Sequence, residues 1–177
     1  MSVTRRQKRD QMTDFQVVAT ETDVAEVARL ADVIWREHYV PIIGQAQVDY
    51  MVSHFQSAQA IAGQVANGYE YYLIIYQGQS AGYAAAVADL DTSSLLLSKI
   101  YIEKSMRGHG LGKNALEFIE DLCRQRVIGT IWLTVNKNNI GSIAWYERVG
   151  FINAGPIVQD IGGGFVMDDF KMEKKIG

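Results

Sequence analysis

The sequence predicts a single domain of the α/β (α+β) class, with strands and helices interleaved around one core. Three observations carry this. The 177 residues are 48% hydrophobic and 21% charged, an ordinary globular composition at a length that suits one domain. From Phe15 onward, strand-like and helix-like patterns alternate with no Pro/Ser-rich linker, low-complexity tract or internal repeat between them. The stretch 95–126 reads as strand, glycine-rich loop and helix in direct succession. A chain near this length buries roughly 68–70% of the surface its unfolded form exposes, so the core needs no metal or disulfide framework.

Residues 1–11 carry Arg5, Arg6, Lys8 and Arg9 against Asp10, a net +3, whereas residues 12–177 hold 13 bases and 19 acids, a net −6. With little apolar content to bury, 1–11 is expected to be a disordered basic tail ahead of a domain at 12–177, and Met12 rivals Met1 as the start. A short strand is predicted over 15–20. Thr22-Asp23, with Glu26 three residues after Asp23, then supplies an N-cap and a reciprocal capping partner. Val24, Val27, Ala28, Ala31, Ile34, Trp35 and His38 fall at three- and four-residue steps along one helical face, which Pro41 is expected to end. Residues 45–67 read as one weaker helix, stopped by Gly68.

Strands over 69–77 and 80–88 are joined in a hairpin at Gly78-Gln79. The run 95–102 is a strongly apolar strand; after the loop 106–112, Leu111, Ala115, Ile119 and Leu122 mark the buried stripe of a helix reaching about residue 126. Gly129 leads into a strand over 131–135, then a short helix over 142–148 that Gly150 caps. Strands over 151–160 and 165–174, joined through Gly162-Gly163-Gly164, close the chain, with Val166, Asp168, Phe170 and Met172 on one face of the last.

Composition excludes several classes of function. Cys123 is the lone cysteine and cannot form an internal bridge; beside Leu122 in a helix it reads as a small buried hydrophobe. No charged-then-apolar leader and no uncharged apolar run near 20 residues is found, so a cytoplasmic protein without a membrane segment is expected. The acidic balance speaks against a nucleic-acid surface, which needs clustered Lys and Arg.

The loop Arg107-Gly108-His109-Gly110-Leu111-Gly112-Lys113 is the informative segment. Alternate glycines let the backbone turn sharply and leave N–H groups uncovered where a helix begins, and Arg107 and Lys113 add full positive charges. First-turn amides lack intrahelical partners and carry the positive end of the helix dipole, so a pyrophosphate fits. A P-loop is excluded, because position 107 is Arg and Asn114 follows Lys113. A dinucleotide-binding loop is excluded too, because the spacing is Gly-x-Gly-x-Gly and no acid ends the following strand. What remains is Arg-x-x-Gly-x-Gly.

Here the chain resembles the GCN5-related N-acetyltransferase (GNAT) superfamily, whose Gln/Arg-x-x-Gly-x-Gly/Ala signature stands as Arg107, Gly110 and Gly112 after a strand. The run 139–151, with Asn139, Ala144, Tyr146 and Gly150-Phe151, matches the family's second landmark in the same order. The resemblance covers roughly residues 15–175. It implies a central mixed, mostly antiparallel twisted sheet of six to seven strands flanked by about four helices, with a splayed strand pair that binds acetyl-CoA. It implies acetyl-CoA as co-substrate, no metal, and a homodimer.

Residue by residue, the resemblance sets the pantetheine arm along the edge Ile100-Tyr101-Ile102 and the pyrophosphate on the amides of Arg107, Gly108, His109, Gly110, Leu111, Gly112 and Lys113. Asn139 and Ser142 would follow the pantetheine, and Tyr146 would meet the sulfur and act as general acid. At helical steps these three share one face, spanning about 10 Å at 1.5 Å per residue. A primary amine would attack the thioester carbon directly, and a backbone N–H near 100–102 would stabilise the oxyanion. For the base, the likeness favours Glu103, with Glu37 and His38 as rivals. The acceptor end would draw on Trp35, Glu37, His38, Tyr39, Tyr71, Tyr72, Asp168 and Asp169, since aromatics and acids suit a cationic amine. Trp-x-x-x-Tyr-x-x-Ile-Ile-Gly at 35–44 and the run 167–172 are similar to bacterial members that acetylate polyamines and related small amines. The implied activity is therefore N-acetylation of a small amine or polyamine. A protein lysine or N-terminal acceptor, and a non-catalytic acyl-CoA sensor, stand as alternatives.

Overall fold

The structure, a computed structural model, describes residues 13–177, so the basic tail predicted at 1–11 lies outside the described residues. After β1 (Thr13–Val17) the chain enters α1 (Glu21–Ile43) one turn earlier than the sequence suggests. Thr20 is the N-cap: its hydroxyl accepts from the Asp23 N–H at 3.1 Å, and the Asp23 carboxylate accepts from the Thr20 N–H at 2.9 Å. Asp23 is thus the third residue of the capping box, not the cap, and with Ala19 also donating to it these backbone bonds hold its carboxyl below the usual range. Pro41 does not end the helix. It sits in the last turn, where its missing N–H would have bonded the carbonyl of exposed Glu37, and the helix stops instead at Gly44, whose N–H bonds Val40.

Residues 45–67 form two helices, α2 (Gln45–Phe55) and α3 (Ala58–Ala66), which makes five α-helices among the described residues where about four are expected. The break falls at Gln56-Ser57. Ser57 caps α3 by accepting from the Ala60 N–H at 3.2 Å, and buried Gln56 accepts from the Tyr83 hydroxyl at 3.1 Å. β2 (Glu70–Tyr76) and β3 (Gln79–Asp89) then form a hairpin whose turn lies one residue earlier than expected, at Gln77 and Gly78, both at positive φ. β4 (Ser94–Ile102), α4 (Leu111–Gln125), β5 (Thr130–Asn136), α5 (Ile140–Arg148), β6 (Ile152–Gly162) and β7 (Phe165–Lys175) complete the chain, within a residue or two of the predicted elements.

The strands form one seven-stranded sheet in the order β1-β2-β3-β4-β5-β7-β6, antiparallel except for β4 and β5. One face is covered by α1, α2 and α3, through Val27, Leu30, Ile34, Trp35, Val48 and Ile61. The other lies under α4 and α5, where Leu116, Ile119 and Cys123 pack on Leu95, Leu97, Leu133 and Met172. Burial pushes the Cys123 thiol up to about 11, in keeping with an inert core side chain. On β7, alternation puts Phe170 and Met172 against the α4/α5 core, while Val166 and Asp168 on the same face run past it into solvent.

Two irregularities of β4 open the middle of the sheet. Its parallel pairing with β5 lasts only three residues, Ser94–Leu96 against Thr130–Trp132, after which the strands diverge. In its pairing with β3, Leu97 faces Ala86 and Lys99 faces Ala85, so Ser98 is an extra, bulged residue. A bulge inverts the alternation beyond it. Leu95 and Leu97 therefore point toward α4, whereas Tyr101 joins the core under α1–α3 and Lys99 meets Gln64 of α3.

Candidate active site

Where β4 and β5 part, a cavity of about 530 Å³ opens between them and the start of α4. Ile100, Tyr101, Ile102, Arg107, Gly108, Gly110, Leu111, Gly112 and Lys113 line it from one side, and Asn139, Ser142 and Tyr146 from the other. Gly108 and Gly110 hold positive φ of 87° and 74°, a conformation that glycine adopts without strain. Gly110 caps α4 with no side-chain bond, and the first backbone bond of the helix is Asn114 N–H to the Gly110 carbonyl at 3.0 Å. The amides of Leu111, Gly112 and Lys113 thus have no backbone partner among the described residues, the arrangement that accepts an anion. Past Leu96, β4 also has an edge that β5 no longer pairs. Free edge and free amides together fit an extended ligand with a phosphate at one end.

His109 is the loop residue that does not face this cavity: its ring stacks on Tyr76 at 5.1 Å. Asn139 is buried, and its Oδ1 is 3.2 Å from His38 Nε2. Burial, with the nearby Arg107 charge, holds His38 below its ordinary pKa against the opposing effect of Asn139, so the ring is neutral near pH 7. Tyr146 packs on Trp145 and Phe151, and burial raises its phenol well above the usual value. It keeps its proton at any physiological pH.

A second cavity, about 410 Å³, lies on the α1–α3 side between Trp35, Tyr39, Phe55, Tyr69 and the final hairpin. The hairpin is pinned over it by α2, where the Tyr50 hydroxyl donates to the Ile161 carbonyl at 2.7 Å and Gln47 Nε2 donates to the Val166 carbonyl at 3.0 Å. Gly162 and Gly163 at the hairpin tip leave room for the Tyr50 ring, which a Cβ on Gly163 would meet at 2.6 Å. Tyr39, Ser98, Lys99, Tyr101, Thr134 and Val135 line both cavities, so the two meet through the gap between β4 and β5.

The structure does not gather every residue that the sequence nominates. Glu103 lines neither cavity; its N–H bonds the Ala81 carbonyl at 2.8 Å, and its carboxylate lies near Arg29 of α1. Glu37 is exposed on the outer side of α1. Tyr72 points to the opposite face, packed on Phe118 and donating to Glu70 at 2.7 Å, because its neighbour Tyr71 takes the α1–α3 side. Asp168 is exposed and ion-pairs with Lys137 at 2.6 Å. Asp169 does reach the second cavity. It is 2% exposed, its Oδ1 has no hydrogen-bond partner, and burial raises its pKa to about 6, with Thr134 bonding and Lys137 opposing the rise. Ser98, Lys99 and Thr134 carried no sequence signal; the bulge and the strand divergence bring them in.

Residues 27–151 match the model of the acetyltransferase (GNAT) family, and the chain belongs to that family. Among curated proteins it is 30% identical over 98 residues to the [ribosomal protein bS18]-alanine N-acetyltransferase of Escherichia coli (strain K12), covering 55% of this chain and 65% of that enzyme. The match therefore spans a little less than two thirds of that relative. Over 151 residues it is 30% identical to an uncharacterized N-acetyltransferase encoded in the pepI 3′ region of Lactobacillus delbrueckii subsp. lactis, covering 78% of this chain and 85% of that one. Its fold is similar to the PaiA N-acetyltransferase of Thermoplasma acidophilum, solved in complex with coenzyme A, with TM-score 0.75 at 17% identity over 93% of this chain and 99% of that one. Among the described residues no group of three or more His, Cys, Asp or Glu side chains could hold a metal ion, and no helix is long and apolar enough to cross a membrane.

Proposed function

We propose that this chain is an acetyl-CoA-dependent N-acetyltransferase whose acceptor is the primary amine of a small molecule. The observation that carries the reading is the meeting of two cavities at one gap in the sheet, one ending on unpartnered α4 amides and the other walled by aromatic side chains with one buried carboxylate, Asp169. The coenzyme supplies an activated acetyl thioester. The amides of Leu111, Gly112 and Lys113 hold its diphosphate, the free edge of β4 binds its pantetheine, and Asn139 and Ser142 flank that arm.

Asp169 takes the role of base that the family likeness favours for Glu103. Its ionised carboxylate removes the proton from the acceptor ammonium, whose ordinary pKa is near 10, and the freed amine attacks the thioester carbon. A C–N bond forms, the C–S bond breaks, Tyr146 gives its proton to the leaving thiolate, and the second proton shed by the acylated nitrogen restores the Tyr146 phenol. Replacing Tyr146 with Phe is expected to lower kcat about 100-fold while leaving the KM for acetyl-CoA within about twofold, since the ring still fills its place. Steady-state kinetics checks this, and an unchanged kcat removes the acid assignment.

The function as a whole is tested by coenzyme A release from acetyl-CoA with a panel of small amines, polyamines and a peptide bearing the bS18 amino terminus. Turnover of the peptide alone would place the acceptor among proteins, and acetyl-CoA binding without any turnover would make the chain a sensor. We also infer a homodimer in the cytoplasm. Among the described residues β6 is an unpaired sheet edge, and Ile152, Val158 and Val166 expose apolar surface along the terminal hairpin. Light scattering is expected to give twice the 19.8 kDa chain mass, and the single-chain mass would dismiss the dimer.

A further inference from the structure

The second cavity holds two buried charges of opposite sign that do not neutralise each other. Lys99 is 6% exposed, and its ammonium donates to Gln64 Oε1 at 2.8 Å and Ser98 Oγ at 3.4 Å, over the rings of Tyr71 and Tyr69. Both partners are neutral. Among the described residues no carboxylate lies within ion-pair distance of it, although ten other ion pairs form. Asp169, lining the same cavity, has a buried oxygen with no hydrogen-bond partner among the described residues. A buried charge without a counter-charge is costly, and two such charges of opposite sign on one cavity suit a ligand that carries the complement of each.

The way Lys99 arrives makes the arrangement specific. In the run Leu95-Leu96-Leu97-Ser98-Lys99, unbroken alternation would put this lysine on the leucine face beneath α4. The bulge at Ser98 turns it instead into the cavity on the other face. One wall of the cavity therefore offers a cation, and another offers an anion.

We propose that the acceptor is a small amine that also carries a carboxylate, of the amino acid class, seated with its carboxylate on Lys99 and its amino group on Asp169. This rests on the acetyltransferase reading. Under it a multiply cationic polyamine is disfavoured, because its second ammonium would meet Lys99. Burial lowers the Lys99 pKa to about 8, so near pH 7 the side chain still carries its charge.

The test measures kcat/KM at saturating acetyl-CoA for α- and ω-amino acids, for the corresponding amides, in which only the carboxylate is neutralised, and for putrescine and spermidine. Amino acids are expected to exceed their amides at least tenfold, and Lys99→Met is expected to compress that ratio toward one, mainly by raising the KM of the amino acids. Lys99→Arg, which keeps the charge, is expected to retain the preference. Amides or polyamines turning over as well as the amino acids overturn the proposal on the natural protein alone, whatever the variants' stability, and leave the acetyltransferase standing. A Lys99→Met loss that falls equally on kcat for every amine also overturns it, by assigning Lys99 to the chemistry. If acetyl-CoA binds by calorimetry yet no amine is consumed, the enzymatic reading fails and this inference fails with it.

Discussion

Replacing Asp169 with Asn is expected to slow acetyl transfer 10²- to 10⁴-fold, the range for loss of a positioned base, and at the same time to make the protein more stable near pH 7. Both effects have one cause. Burial disfavours the Asp169 carboxylate and lifts its pKa from 3.8 to about 6, Asp168 adds to the rise, and Thr134 and Lys137 oppose it. The unfolded chain ionises this group more readily than the folded one, so the fold loses stability as pH rises from about 4 through 6 and carries the full penalty above that. A rise of this size corresponds to about 3 kcal/mol, and a neutral Asn escapes it. Well below pH 4 both states are protonated and the advantage of Asn disappears.

Thermal unfolding of parent and variant across pH 4–8 checks the stability half: the difference in Tm is expected to widen with pH, and a variant less stable than the parent at pH 7 would show that Asp169 is neutralised in the fold. The pH profile checks the catalytic half. Only the ionised carboxylate accepts a proton, so kcat/KM of the parent is expected to fall below about pH 6. In the variant that limb is expected to vanish along with most of the rate.

Gly82→Ala carries the largest expected structural effect. Gly82 stands on β3 opposite Ile102, beside a bulge that places Ala81 between Ser80 and the Gly82–Ile74 pair. A Cβ there would lie 2.1 Å from the Tyr101 carbonyl oxygen and 3.0 Å from the Ile102 Cα. Both are backbone atoms of a paired strand, so no side-chain rotation relieves the clash. Displacing β4 is expected to cost about 3 kcal/mol, or about 6–12 °C in Tm for a chain of this size. It also moves the edge on which pantetheine is to bind, so the KM for acetyl-CoA is expected to rise. A Tm within about 2 °C of the parent would mean that the two strands give way more easily than their pairing suggests.

The cavity at the start of α4 was legible in the sequence and the cavity on the α1–α3 side was not, for a physical reason. Glycines at a helix start and the 139–151 run are local devices: positive φ, uncovered amides and helical spacing act within one turn, so position in the chain nearly fixes position in space. The acceptor cavity is assembled by registers and breaks. Lys99 reaches it because one residue bulges, Asp169 because it faces the α1–α3 side of β7 while its exposed neighbour Asp168 faces the other, and Gln64 because 45–67 breaks at Gln56-Ser57 into two helices. Alternation alone could not separate Tyr71 from Tyr72, or Asp168 from Asp169, since each pair contains one residue for either face. The shift of the α1 cap to Thr20 was within reach, because Thr20 and Asp23 have the same three-residue spacing as Asp23 and Glu26.

The short pairing of β4 with β5 has a consequence for traffic. The sheet works as a partition with one doorway, and in the function proposed above the donor and the recipient of the acetyl group come to it from different rooms. Neither blocks the other's way in or out. On that proposal both can be in place before anything reacts, so no part of the protein needs to carry the acetyl group in between.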